Sequence, residues 1–206
     1  MTFARARGVL LLALLLFTAA AWAQSDPQLL VKQVTDKVLA RLDSERAALK
    51  ADPRKIYPLV EDLVLPHFDF SRMSAWVLGR YWRTASADQR SRFTREFRTL
   101  LVRTYAVALL EYSGQTIGYL PSRMSESGKT ALVRTEIAQS GQSPVALNYS
   151  LYWNGKQWLV YDITVEGVSL VTNYRSSFAA QIAGNGLDTL IAQLEKRNAK
   201  NAASGS

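Results

Sequence analysis

Two aspartates stand where a carboxylate is costly. Asp69 lies between Phe68 and Phe70, and Asp162 lies between Tyr161 and Ile163. A carboxyl group buried among such neighbours must be paired, hydrogen-bonded or protonated. An arginine such as Arg80, Arg83 or Arg175 would supply the structural pairing. The chemical alternative makes Asp162 a general base in a cavity between sheet and helices, as in small isomerases of similar architecture. Little else on the chain would assist it. The one histidine, His67, follows Pro66 and has no nucleophilic motif around it. Cysteine is absent, which removes thiolate catalysis, Cys-ligated metal sites and disulfides together. Glu61 and Asp62 are adjacent and therefore point apart on a helix. No cluster has metal-ligand spacing, and no glycine-rich loop could cradle a phosphate.

The elements that must position these groups are clearest between Trp158 and Arg175. Leu159, Tyr161, Ile163 and Val165 alternate with Trp158, Val160, Asp162 and Thr164, which predicts a strand with one wholly apolar face. After Glu166-Gly167 the period changes. Leu170, Val171, Tyr174, Phe178 and Ile182 recur at helical spacing, so a helix over 169–182 follows directly. Upstream, strands are predicted over 115–120, halted by Pro121, then over 130–139 and 145–153. Asn154-Gly155 reads as a two-residue hairpin with positive φ at both positions. The result is a four-stranded antiparallel sheet.

Helices flank that sheet. Asp26-Pro27 opens one that reaches about Lys50, and Asp52-Pro53 opens a second that stops before Pro66. Ser71 caps a short helix ending at Gly79, with Tyr81 and Trp82 in the linker beyond. Ser86 and Gln89 form a capping box for a long helix that continues to about Ser113, with Phe93, Phe97, Leu101 and Tyr105 along its stripe. A last helix begins at Asn185-Gly186. The small polar stretch 198–206 predicts a frayed, disordered tail.

Export and charge narrow the function. Arg5 and Arg7, an apolar run from Val9 to Ala20, and Ala21-Trp22-Ala23 form a cleavable signal peptide over 1–23. The apolar run is shorter than the roughly 20 residues that span a bilayer. What remains is a single domain over 24–197, with Phe and Tyr enough for a substantial core. Without Arg5 and Arg7 the formal charge of +8 falls to about +6. Export separates the chain from nucleic acid, so the basic balance points to anionic lipid headgroups or an acidic protein surface.

Phe68 to Gln115 and Gly155 to Leu194 resemble the MlaC, or toluene-tolerance, family of periplasmic phospholipid-binding proteins. The matching residues are Met73, Leu78-Gly79, Tyr81-Trp82, Gln89-Arg90 and Phe93, then Tyr161-Asp162-Ile163, Glu166-Gly167-Val168-Ser169 and Asn173-Tyr174-Arg175. That resemblance implies a carrier moving phospholipid between an outer-membrane lipoprotein complex and an inner-membrane ABC transporter. It also implies an NTF2-like α+β fold with several helices around a hydrophobic pocket, in which acyl chains lie inside and the headgroup outside. Such a carrier needs no cofactor, phospholipid being its cargo, and works as a monomer. A related branch is associated with hopanoid lipids. On this reading the periodic apolar positions Trp76, Leu78, Phe93, Phe97, Leu101, Tyr105, Tyr149, Leu151, Val160, Ile163, Val165, Val168 and Val171 wall the pocket. Two alternatives stand beside it: an enzyme on a similar scaffold with Asp162 as base, and a protein-binding module with a dry core.

Overall fold

The computed structural model describes residues 25–139, 141 and 143–203. The signal peptide over 1–23 lies outside the described residues. Helix α1 (Pro27–Ser44) opens on Asp26, whose carboxylate accepts the Gln28 N–H, with Pro27 in the first turn. The single helix expected to Lys50 breaks at Glu45, and α2 (Arg46–Ala51) turns Leu49 into the same cluster as Val38 and Leu42. A 3-10 turn leads into α3 (Ile56–Leu63), and Leu65–His67 forms another 3-10 turn around Pro66.

Helix α4 (Phe70–Leu78) is capped by Asp69 and not by Ser71: the Asp69 carboxylate accepts the Arg72 N–H at 2.8 Å. Gly79 ends it at φ 54°, ψ −117°, a conformation that a β-carbon disfavours strongly. Tyr81 and Trp82 are helical rather than linker residues. They lie on α5 (Arg80–Thr84) and pack against the helical core. The Ser86–Gln89 capping box forms as expected and opens α6 (Ala87–Tyr105). Beyond Tyr105 the chain tightens to a 3-10 helix over Ala106–Glu111, which turns Leu109 and Leu110 into the cluster around α3 and leaves Val107 exposed.

The sheet has five strands in the order of the chain, all antiparallel: β1 (Thr116–Met124), β2 (Thr130–Ala138), β3 (Val145–Trp153), β4 (Trp158–Val165) and β5 (Val168–Ser169). The fifth, absent from the sequence-based expectation, has two residues. It exists because Glu166 and Gly167 both adopt positive φ, 49° and 81°, and so form the two-residue turn expected at Asn154-Gly155. At that earlier position only Gly155 has positive φ, and the Asn154 carboxamide oxygen accepts the N–H groups of Lys156 and Gln157 across a longer loop. Pro121 does not halt β1. An edge strand needs no outward donor, and the register slips between Leu120 and Arg123 to accommodate the proline.

A second irregularity lies in β4. Val160 pairs with Leu151 and Asp162 with Ser150, so Tyr161 is extra and the side-chain alternation inverts there. The expected apolar face of Leu159, Tyr161, Ile163 and Val165 is therefore replaced by one carrying Trp158, Val160, Ile163 and Val165.

Helix α7 (Leu170–Asn185) follows β5, with Ser169 as its cap, and α8 (Leu187–Ala203) completes the chain. The predicted tail is helical over 198–203. Asn198 is buried and donates to the Glu96 carbonyl and carboxylate, which fastens the end of α8 to α6. Arg92 adds ion pairs to Asp188 and Glu195 on α8. Three clusters of buried side chains result. The largest joins α4, α6, α7 and α8; another joins α1, α2 and α3; the third lies between the sheet and the start of α1.

Gly79→Ala must place a β-carbon in this disfavoured backbone conformation and within 3.3 Å of the Arg175 guanidinium. We expect a stability loss of about 1–3 kcal/mol, measured as a shift in the urea midpoint at unchanged slope.

Candidate functional site

Register sorts the sheet into rows, because residues paired across antiparallel strands share a face. On the face toward α1, one row runs Ala131, Leu151, Val160 and the next Val133, Tyr149, Ile163. The third is Tyr119, Thr135, Leu147, Val165, and the fourth Ile117, Ile137, Val145. The first row is buried, Leu151 fully so, under Val31 of α1 and beside Trp158. In the fourth row Ile117 and Ile137 are half-buried and Val145 is exposed. The apolar face is sealed at one end and bare at the other.

Helix α1 explains the difference. Its first turns put Leu30 and Val31 against the sheet, while Val34, Val38 and Leu42 belong to the cluster with α3. The helix thus divides its apolar side between the sheet and α3. Ile117, Ile137, Leu147 and Val165 belong to none of the three buried clusters, although all are apolar. Such an uncovered apolar surface is suited to a hydrophobic ligand.

The residues expected to wall a pocket divide in three. Tyr149, Leu151, Val160, Ile163, Val165 and Val168 share this sheet face, Val168 through its pairing with Val165. Leu78, Phe93, Phe97, Leu101 and Val171 do not join them: they pack with one another in the helical cluster, where Phe93 and Phe97 stack at 5.6 Å. Trp76 and Tyr105 are exposed. Trp76 rests on the Tyr161 ring at 5.1 Å, and burial together with neighbouring Tyr174 pushes the Tyr105 hydroxyl up to about 12. Periodicity placed Leu78, Phe93, Phe97, Leu101 and Val171 on the inner side of their helices but could not say which core that side met, and it did not foresee the exposure of Trp76 and Tyr105. Tyr119, Thr135, Leu147, Ile117 and Ile137 share the same sheet face and stood outside the expected set, although alternation in β1, β2 and β3 marks them.

The α6 residues expected in the pocket wall, Phe93, Phe97, Leu101 and Tyr105, line neither of two surface concavities. One groove of about 260 Å³ lies on the opposite side of the sheet, with Arg123, Leu132, Ser150 and Tyr161 in its lining, and is open to solvent. A smaller concavity of about 80 Å³ separates α3 from α6 near Tyr57 and Arg98. The physical reason is that the aromatic residues of α6 fill their own surroundings with side chains.

Neither aspartate is poised for chemistry. Asp162, turned to the opposite side by the Tyr161 bulge, accepts the Val171 N–H at 3.1 Å and the Ser169 hydroxyl at 2.6 Å, anchoring the start of α7 to β4. Asp69 caps α4 and accepts the Tyr152 hydroxyl, while the Arg72 guanidinium lies 3.9 Å from the centre of the Tyr152 ring. The expected partners Arg80, Arg83 and Arg175 supply none of these hydrogen bonds. His67 is held below the usual imidazole range, first by burial and second by the charge of Lys37. Among the described residues, no group of three or more His, Cys, Asp or Glu could hold a metal ion.

The model of the family described as MlaC protein matches residues 32–196. The chain belongs to the MlaC family. Similar proteins include the intermembrane phospholipid transport system binding protein MlaC of Haemophilus influenzae, 29% identical over 184 residues, covering 88% of this chain and 86% of that one. The toluene tolerance protein ttg2D of Pseudomonas putida is 30% identical over 181 residues, covering 87% and 82%. Among solved structures, the phospholipid-binding protein of Ralstonia solanacearum in complex with a phospholipid is similar at 34% identity and a TM-score of 0.79. That match covers 86% of this chain and 99% of that chain.

Two outcomes follow for this MlaC-family chain. Asp162→Ala leaves the Val171 N–H without its acceptor and should cost about 1 kcal/mol, with Asp162→Asn losing less, as read from urea unfolding. Because the folded pKa of His67 lies below the unfolded value of about 6.5, protonation favours the unfolded chain. Its effect is absent above about pH 7.5, and stability falls as the pH drops through 6.5 toward the folded pKa. The wild-type loss between pH 8 and pH 5.5 should exceed that of His67→Gln.

Proposed function

We propose that this chain is a periplasmic phospholipid carrier whose cargo lies with its acyl chains on the bare half of the sheet face. The observation that carries this reading is the similarity, over 86% of this chain and 99% of the other, to a protein solved with a phospholipid bound. Apolar positions that lie outside the buried clusters, with Val145 and Val168 exposed, support it from the geometry. Burying a methylene stabilises by about 0.8 kcal/mol, so two chains of about 15 carbons gain over 20 kcal/mol relative to water. Escape into water is then negligible. A bilayer offers the same burial, so exchange with a membrane is close to balanced, and a partner need shift it by only a few kcal/mol.

On this reading the chain is a monomer that shuttles lipid between an outer-membrane lipoprotein complex and an inner-membrane ABC transporter, maintaining outer-membrane lipid asymmetry. The name of the Haemophilus influenzae relative, a binding protein of an intermembrane phospholipid transport system, supports such a place. Among the described residues no helix is long and apolar enough to cross a membrane. Catalysis by Asp162 has less support, since both its carboxylate oxygens accept hydrogen bonds that fix α7.

Solvent extraction and mass spectrometry of the purified protein should recover phospholipid near one equivalent. Leu147→Glu places a charge on a half-buried position of the bare rows. It should reduce recovered lipid severalfold while the circular dichroism spectrum stays unchanged. Lipid-free wild-type protein, or a variant that retains its lipid, would overturn the assignment.

A further inference from the structure

The third row contains a polar feature that acyl chains do not explain. Tyr119 and Thr135 are paired neighbours of the third row, and Tyr149 sits beside them in the second. Thr135 is 1% exposed and donates its hydroxyl proton to the Leu147 carbonyl. What remains on Thr135 is acceptor capacity only. The Tyr149 hydroxyl lies within hydrogen-bonding reach of Thr135 and near Tyr119, and burial pushes its ionisation up. The Tyr119 hydroxyl is buried and has no hydrogen-bond partner. Two phenolic protons thus share little acceptor capacity on an apolar face, and an unmet buried donor is costly.

The charge nearby selects the kind of acceptor. Lys32 of α1 lies 5.9 Å from the centre of the Tyr119 ring, but its ammonium is already paired with Asp36 at 2.7 Å. An anion brought to Tyr119 would lose water, and among the described residues Lys32, the cation over its ring, already shares its charge with Asp36, so a neutral oxygen is favoured. Depth points the same way. The third row lies one repeat, about 7 Å, inside the fourth row, of which Val145 is exposed. A diacyl lipid with its headgroup beside Val145 and its chains between the sheet and α1 brings its ester carbonyls, the neutral acceptors of the molecule, to about that depth.

We propose that the Tyr119 hydroxyl, supported by Tyr149, hydrogen-bonds an ester carbonyl of the bound diacyl lipid. This rests on the carrier reading and adds a basis for selection to it. The chain should prefer ester-linked over ether-linked phospholipids of equal chain length, because an ether lipid has no carbonyl to offer. Orientation follows as well, since one fixed carbonyl sets how far the headgroup emerges.

The test loads delipidated full-length mature protein from vesicles holding equal amounts of diester and diether phosphatidylethanolamine, and quantifies bound lipid by mass spectrometry. Wild type should favour the diester about two- to tenfold, the worth of one hydrogen bond. Tyr119→Phe, which removes only the hydroxyl, should bring the diester-to-diether ratio of whatever lipid it loads to about one. In wild type, infrared spectra of carbonyl-labelled lipid should show an ester band at lower frequency than in the vesicle, and this measurement needs no variant. Equal loading of both lipids with an unshifted band would overturn the proposal and leave the carrier reading intact. Failure to load either lipid would overturn the carrier reading itself.

Discussion

One residue out of register in β4 determines what the sheet presents on each side. With Tyr161 unpaired, Val160 and Ile163 come to the same face despite odd spacing, and Asp162 turns to the other. The apolar side thereby gains an unbroken run from Trp158 to Val165. Across the sheet, the displaced carboxylate meets the start of α7 and receives its Val171 N–H. Strict alternation would have put Asp162 beside Val160, among the rows assigned to lipid, and left α7 without its link to β4.

The molecule separates stability from accommodation. Helices α4, α6, α7 and α8 close on themselves through Phe93, Phe97, Phe178 and Ile191, and their ends are tied by Arg92 to Glu195 and by Asn198 to Glu96. That cluster is closed by its own side chains. The sheet positions Ile117, Ile137, Leu147 and Val165 lie outside it, and α1 divides its apolar side between sheet and α3.

Much of this was legible in the amino-acid sequence, because periodicity and capping are local. The Ser86–Gln89 box, the bounds of β3, and the turn from strand to helix near Ser169 all follow from residues within a few positions of one another. What escaped depends on partners far along the chain. No pattern near Tyr161 announces that it will be skipped by β3, and nothing within α6 distinguishes a side facing other helices from one facing a lipid. Hence Tyr149, Ile163 and Val165 of the expected set share one sheet face, whereas Phe93 and Phe97 lie in the helical cluster. Asp69 and Asp162 were rightly singled out as carboxylates needing partners. Their partners proved to be backbone N–H groups and hydroxyls, which leave no trace in a search for opposite charge.

Both margins of the sheet are blunted, and that matters for a protein with apolar rows left uncovered. At one margin β1 carries Pro121, which has no N–H to offer, and a register slip that disturbs the regular spacing of its outward groups. At the other, β5 ends after two residues and the chain leaves as a helix. A second copy approaching either border finds no long, straight ladder to extend. Greasy surface can thus be displayed to cargo without inviting self-association into fibrils, and restoring an uninterrupted β1 would expose that hazard.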